Sequence, residues 1–478
     1  MTVIEAVDSG ADDLDEDGAA EHIHGICLKT GPPRRVGVEL EWLVRDARDP
    51  FLPVPAERIA AAVAAFDAER AKRDQGAIDG GIRGGPELPT SSCPGVLPSG
   101  ASLTTEPGGQ LEISSLPADS LAGLVRATSA DLVALRGAVA EAGLELAGIG
   151  LDPLRPPARV LDLPRYTTME AFFDRDGPFG REMMCGTASV QVCLDAGDDS
   201  DGPAGYQWRW RLLHAVGPVL VAAFANSPLR EGKPTGWVSS RQQVWAGMDP
   251  RRTRPPRLDS DPRAAWAAYA LDAELMCVRS DESGDWSAPP GLTLRDWVRG
   301  GTARRPTVDD LEYHLTTLFP PVRPRGHFEL RMIDAQPGAG WVVPLALSWA
   351  LLTDERAGDA ALAAVAPLWD GRPPGWPATV TANGADGNEA AARHADLPGG
   401  AEAGHDGPGG DGPWLRAARL GPGDPLIAAA SRECFAAAWE AMGRMGVPDD
   451  ITAAVDAFHE AYVSKDRCPA DDLLEEVP

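Results

Sequence analysis

The chain has 478 residues, with 44 Lys and Arg against 71 Asp and Glu, a formal net charge of −27. That balance argues against a nucleic-acid-binding protein, which must neutralise phosphates with basic side chains. An apolar content of 44% is ample for a large core, and no run of about 18 apolar residues is present to cross a membrane.

Residues 1–30 are acidic, with no Lys or Arg before Lys29 and no apolar signal-peptide segment. They are expected to form a disordered tail. Residues 31–465 are read as one domain and 466–478 as an acidic C-terminal tail. In "RRVGVELEWLV" (34–44), Val36, Val38, Leu40, Trp42 and Val44 alternate with Gly37, Glu39, Glu41 and Leu43, the period of a strand. Residues 55–72 are Ala-rich and helical in period, and 74–101 read as a loop with short extended pieces. "TTEPGGQLEIS" (104–114) predicts a hairpin whose Pro-Gly-Gly turn is flanked by Glu106 and Glu112. A long amphipathic helix follows, capped at Asp119 or Ser120 and ending near Gly143.

"ASVQVCLDAG" predicts a strand with Gln191, Cys193 and Asp195 on one face. "WRWRLLHAVGPVLVAAFANSP" predicts a helix ending before Pro228, then a loop through "LREGKPTGWVSSRQQVW". In "HFELRMIDAQP", Phe328, Leu330 and Met332 are expected in the core, with His327, Glu329 and Arg331 opposite. Helices are expected over about 341–367 and 425–461, separated by a flexible Gly/Pro-rich insertion at 371–413. Strands and helices mix without regular βαβ spacing, which predicts an α+β fold with a mostly antiparallel sheet. Seven scattered cysteines with no CxxC pair point to a reducing cytoplasm.

Acids at i and i+2 of a strand share a face and repel. A lone Glu39-x-Glu41 reads first as a solvated pair, and Glu106/Glu112 or Glu329 alone is equally weak. Together, three strand segments place five carboxylates on one face of a common sheet. That donor set suits hard divalent cations such as Mg²⁺, which bridge nucleotide phosphates. No GxxxxGK[ST] loop, GxGxxG fingerprint, GxSxG elbow or HExxH is present.

Five stretches, "VGVELEW", "TTEPGGQLEIS", "MMCGTASVQVCLDA", "ANSPLREGKPTGWVSSRQQVW" and "HLTTLFPPVRPRGHFELRMIDAQP", resemble the glutamate–cysteine ligases of plant and bacterial type. Within that family the similarity is to the actinobacterial branch that feeds ergothioneine synthesis. The resemblance implies a glutamine synthetase-like fold with a curved sheet and packed helices. It implies ATP-dependent ligation of the γ-carboxylate of L-glutamate to L-cysteine through a γ-glutamyl phosphate, giving γ-glutamylcysteine, with ATP and Mg²⁺ as cofactors. It also implies metal ligation by Glu39, Glu41, Glu106, Glu112 and Glu329, and a catalytic pair of Glu329 and Arg331. Gln191, Lys233, Arg241 and Arg331 are the implied contacts to substrate or ATP, Arg241 for the glutamate α-carboxylate. Where plant members read an Arg-Thr-Cys run before "VQV", this chain has Cys185-Gly186-Thr187-Ala188, and Cys193 stands where they have asparagine. No nucleic-acid or membrane partner is expected, and the expected state is a monomer. A γ-glutamyl ligase for another amine and a non-catalytic ligase-like binding protein are the alternatives.

Overall fold

The computed structural model describes residues 14–67, 95–279, 285–301, 304–369 and 412–477. The strands are β1 (Val36–Asp46), β2 (Gly95–Val96), β3 (Ser102–Thr105), β4 (Leu111–Ser114), β5 (Leu144–Ala147), β6 (Ser189–Asp195), β7 (Leu229–Arg230), β8 (Lys233–Pro234), β9 (Val322–Pro324) and β10 (His327–Asp334). The main sheet runs β2–β3–β4–β1–β6–β10–β9, and every pairing in it is antiparallel. β5 pairs with the far half of β1, and β7–β8 form a separate ribbon. The α+β reading therefore holds.

Period-two alternation decides which way this sheet faces. Val36, Val38, Leu40, Trp42 and Val44 of β1 are buried, as are Val190, Val192 and Leu194 of β6 and Phe328, Leu330 and Met332 of β10. They share one core with helices Leu121–Glu141, Tyr206–Ala223 and Val342–Thr353. Burying each large side chain contributes about 1.5–3 kcal/mol. The opposite face carries the polar residues and is left to a cavity. The Leu121–Glu141 helix starts as expected: the Ser120 side chain accepts from the Gly123 amide at 3.1 Å.

The structure corrects several expectations. Residues 16–27 are not a disordered tail: Glu16–Cys27 is a helix, with Ala19, Ile23 and Cys27 buried against helix Pro262–Asp272. Its acids are not simply solvated, since Glu16 pairs with Arg295 and Arg299. Those partners are distant in sequence, so composition alone hid them. Residues 1–13 lie outside the described residues, as does the expected insertion up to residue 411. The C-terminal stretch also folds, as helix Pro469–Glu475 beside buried Cys468. The closing helix divides into Pro425–Met445 and Asp449–Ala461, because Gly446 takes a left-handed conformation (φ 67°). The expected loop after Pro228 contains the β7–β8 ribbon and helix Ser240–Ala246.

Candidate active site

The polar face of the sheet floors a cavity of about 420 Å³ whose lining includes Glu39, Glu41, Glu106, Glu112, Gln191, Arg241 and Arg331. The register explains the convergence. Glu41 stands opposite Glu112 of β4, and Glu39 opposite Gln191 of β6. One strand further, Glu329 of β10 faces Cys193, and Arg323 of β9 faces Glu329. Adjacent strands are separated by about 4.8 Å, so the three steps from β4 to β10 string the acids over roughly 14 Å.

Glu106 enters from the β3–β4 turn. The Glu106 amide donates to the Gln110 carbonyl at 2.8 Å, and the Gly109 amide to the Glu106 carbonyl at 2.8 Å. Gly109 has φ 87°, and a Cβ on Gly108 would stand 2.2 Å from the carbonyl oxygen of Cys185. Both positions therefore need glycine. Buried Gln110 fastens the turn to the approach of β6, donating through Nε2 to the Thr187 carbonyl at 2.9 Å.

Four of the acids lack a neutralising partner. Glu41 accepts from Ser189 Oγ (2.8 Å) and Gln191 Nε2 (3.0 Å), and Glu112 from Thr104 and Ser114 hydroxyls (3.2 and 3.0 Å). Among the described residues, no hydrogen bond reaches the carboxylates of Glu39 and Glu106. Burial and the neighbouring Glu329 and Glu112 push Glu39 up to about 8. Burial and Glu41 push Glu112 up to about 7. Glu41 is raised chiefly by burial, and Glu106 well raised by burial and then Glu112 and Glu41. Carboxyls in this condition bind protons when no cation is available.

Glu329 is different. It is 0% exposed, and its oxygens face guanidinium groups. Arg323 donates to it three times, at 2.8, 3.0 and 3.1 Å, Arg331 donates to Oε1, and Arg325 approaches at 3.5 Å. These cations hold its carboxyl far below the usual range despite burial. The register between β6 and β10 slips between Leu330 and Ile333, and this bulge carries Arg331. Arg331 Nη1 donates to Gln191 Oε1 at 2.5 Å, so Gln191 links Arg331 to Glu41.

Arg241 is 2% exposed on helix Ser240–Ala246. Its Nη2 donates to the Arg331 carbonyl at 2.8 Å, while Nε and Nη1 have no hydrogen-bond partner. Asp334 lies 3.8 Å from Nη1 and is itself engaged by Ser227, Ser239 and the Asn226 amide. Lys233 is exposed on the β7–β8 ribbon and does not line the cavity. The sequence reading missed Arg165, Arg323 and Arg325, all of which line it. The signal for the last two was the turn "RPRGH", with Gly326 at φ 78°, which folds β9 back onto β10. Arg165 stands at the start of a helix, where nothing in the local sequence marks it.

The donor set fits Mg²⁺ bound together with phosphates. Among the described residues no three acids, histidines or cysteines gather into a closed metal cage. Mg²⁺ does not need one, since it keeps waters and takes one or two carboxylates plus phosphate oxygens. A row of four unneutralised carboxyls in one cavity meets that requirement.

A sheet face that gathers unneutralised acids and buried guanidinium groups in one cavity suits anionic ligands bound together with cations. The family model for glutamate–cysteine ligase family 2 matches residues 35–376. A glutamate–cysteine ligase EgtA of Mycobacterium tuberculosis (strain CDC 1551 / Oshkosh) is 36% identical over 97% of this chain and 90% of its own length. The EgtA of Mycolicibacterium smegmatis is 39% identical over 74% and 78%. A chloroplastic glutamate–cysteine ligase of Medicago truncatula is 33% identical over 49% and 47%. Among solved structures, a Francisella tularensis glutamate–cysteine ligase in complex with AMP covers 94% of this chain and 85% of that one, at 10% identity and a TM-score of 0.48. The chain belongs to glutamate–cysteine ligase family 2, and it is an enzyme of the glutamate–cysteine ligase type.

Proposed function

We propose that this cavity joins L-glutamate to L-cysteine at the expense of ATP. The γ-carboxylate of glutamate attacks the terminal phosphorus of ATP, giving γ-glutamyl phosphate and ADP. The cysteine amine then attacks the acyl carbon. A C–N bond forms, the C–O bond to phosphate breaks, and the amine proton passes to solvent. Glu39, Glu41, Glu106 and Glu112 would hold Mg²⁺, which neutralises phosphate charge when bound. Arg331, aimed into the cavity by its bulge, presents a fixed positive charge to the transferring group. Gln191 keeps Arg331 and Glu41 in register. Glu329 anchors Arg323 and Arg331, and a ligand role for it requires those arginines to re-pair with the triphosphate. Arg241 offers its two unused donors to the glutamate α-carboxylate. Lys233 has no part in this arrangement.

The observation that carries the reading is the set of four acids without a counter-cation in one cavity of a chain of this family. The product's use in ergothioneine synthesis rests on the similarity to the actinobacterial members. A monomer in the cytoplasm is the accompanying reading, supported by six free thiols among the described residues. No described helix is long and apolar enough to cross a membrane. The test is ADP release with glutamate and each candidate acceptor. Turnover with cysteine no greater than with alanine or a simple amine would remove the acceptor assignment, and full activity in excess chelator would remove the metal.

A further inference from the structure

Helix Ser240–Ala246 brings Arg241 to the cavity, and one buried carboxylate holds the first turn of that helix. Asp334, 2% exposed, ends β10, the strand that carries Arg331. Its Oδ2 accepts from the Asn226 amide at 2.9 Å and the Ser227 hydroxyl at 2.7 Å, and its Oδ1 from the Ser239 hydroxyl at 3.0 Å. Both hydroxyls then accept from the helix. Ser227 Oγ takes the Arg241 amide at 3.1 Å, and Ser239 Oγ, the N-cap, takes the Gln242 amide at 3.2 Å. A hydroxyl that spends its one proton on a carboxylate keeps its lone pairs for such amides. The backbone of Arg241 is therefore placed by Asp334 through two serines.

The side chain of Arg241 answers to the same group. Asp334 Oδ1 lies 3.8 Å from Nη1, and among the described residues no other carboxylate is within ion-pair distance of Arg241. On its other sides Nη2 is bonded to the Arg331 carbonyl, and the guanidinium lies 5.8 Å from the Trp245 ring centroid. At 3.8 Å Asp334 attracts the guanidinium without taking a hydrogen bond from it. The Asn226, Ser227 and Ser239 donors already occupy the carboxylate, so Nε and Nη1 stay unspent. Burial raises the Asp334 carboxyl above its ordinary value, and Arg241 and those donors oppose the rise. A direct bidentate bond to Asp334 would instead have consumed the fork that an incoming carboxylate needs.

We propose that Asp334 is a positioning residue for the donor amino acid: it sets the aim of Arg241 at the glutamate α-carboxylate. This rests on the reading of Arg241 given above and adds what holds that arginine ready. Because Asp334 and Arg331 share β10, the same strand also fixes how far Arg241 stands from the arginine facing the transferring phosphate.

The test uses the full-length enzyme with ATP and L-cysteine, and compares glutamate with 4-aminobutyrate, which keeps the reacting carboxylate and lacks the α-carboxylate. Wild type should favour glutamate by about 100-fold or more in kcat/KM. Asp334→Asn should raise KM for glutamate about 10-fold, and leave kcat and the KM values for ATP and cysteine within about threefold. Turnover of 4-aminobutyrate should hold, so the preference for glutamate should shrink by the same factor of about 10. A role confined to stability would lower kcat/KM equally for both donors and leave the preference intact, and that result overturns the proposal. Ser227→Ala, which removes one bridge between Asp334 and the helix, should raise KM for glutamate about threefold. It decides the question where Asp334→Asn does not fold, since an unchanged KM overturns the proposal. Wild type that discriminates while both variants keep its KM for glutamate removes the proposal alone. Wild type that uses 4-aminobutyrate as readily as glutamate removes the reading of Arg241, and the proposal with it.

Discussion

Replacing Arg323 with Met tests the charge balance under the active site. Glu329 is completely buried and takes three of its guanidinium hydrogen bonds from Arg323. Breaking a buried pair from one side costs about 3–5 kcal/mol, because the surviving charge is stranded. Arg331 and Arg325 stay close to Glu329, so the low end, about 3 kcal/mol, applies to Arg323→Met. Unfolding entropy scales at about 2.1 cal/mol/K per residue, or about 1 kcal/mol/K for this chain, so Tm should fall by about 3 °C. Glu329→Gln strands the arginines instead and should cost a similar amount. The double variant should cost about 2 kcal/mol less than the two singles added together, since neither charge is then left without the other. Urea titrations and calorimetry of the four proteins complete the cycle. Additive costs, or a loss under about 0.5 kcal/mol for Arg323→Met, would show that Glu329 does not depend on Arg323.

Glu112→Gln removes one of two carboxylates standing directly opposite each other, so the metal-free protein should gain about 0.5–1 kcal/mol. The same change should weaken the rise in Tm produced by millimolar Mg²⁺ with ATP; an unaltered rise would take Glu112 out of cation binding. Gly108→Ala puts a methyl group against the Cys185 backbone, so the Glu106 turn must shift. A folded protein with kcat/KM down about 100-fold is expected, and full activity would mean the turn does not fix Glu106. Buried His214 and His314 are pushed down to about 4 and about 3, mainly by burial. Above pH 6.5 both are neutral folded or unfolded and contribute nothing. Below it the unfolded chain binds protons that the folded chain refuses, so stability falls by about 2.5 kcal/mol per histidine by pH 4.5. His214→Gln should shrink the difference in urea stability between pH 7 and pH 4.5, and an unchanged difference would clear His214.

The strands that floor the site were legible because each obeys period two over its own few residues. Val36 to Val44 declare which side faces the core, and Glu39 and Glu41 follow on the other side without any knowledge of neighbouring strands. Glu106 and Glu112 were legible because the Pro-Gly-Gly turn between them needs conformations that mark it locally. The arginines were not. Arg323 becomes a partner of Glu329 only through the β9–β10 register, and Arg165 reaches the cavity from a helix some 150 residues away from Thr316, to which it is bonded. The Glu16–Cys27 helix was hidden for the same reason: its acids look like a solvated tail until Arg295 and Arg299 arrive from a distant segment.

The two ends of the cavity carry opposite deficits, and this bears on how the enzyme avoids wasting ATP. Around Glu329 three guanidinium groups converge on one carboxylate, an excess of positive charge that suits a phosphate. From Glu39 to Glu106 four acids stand without a cation, an excess of negative charge that repels one. A triphosphate alone is drawn to the first region and opposed by the second. A divalent cation alone finds the acids partly protonated, since burial and mutual repulsion hold Glu39 and Glu112 up near 8 and 7. Only the two together cancel both deficits, so each should raise the affinity for the other by the same factor. Arg241 and Arg165 belong to this balance: Arg241 lies 3.8 Å from Asp334 and opposes the rise that burial causes at Glu41, and Arg165 opposes it at Glu106. On the reading proposed above, Arg241 answers the glutamate α-carboxylate while the arginines around Glu329 answer the phosphates, so neither anion competes for the other's guanidinium groups.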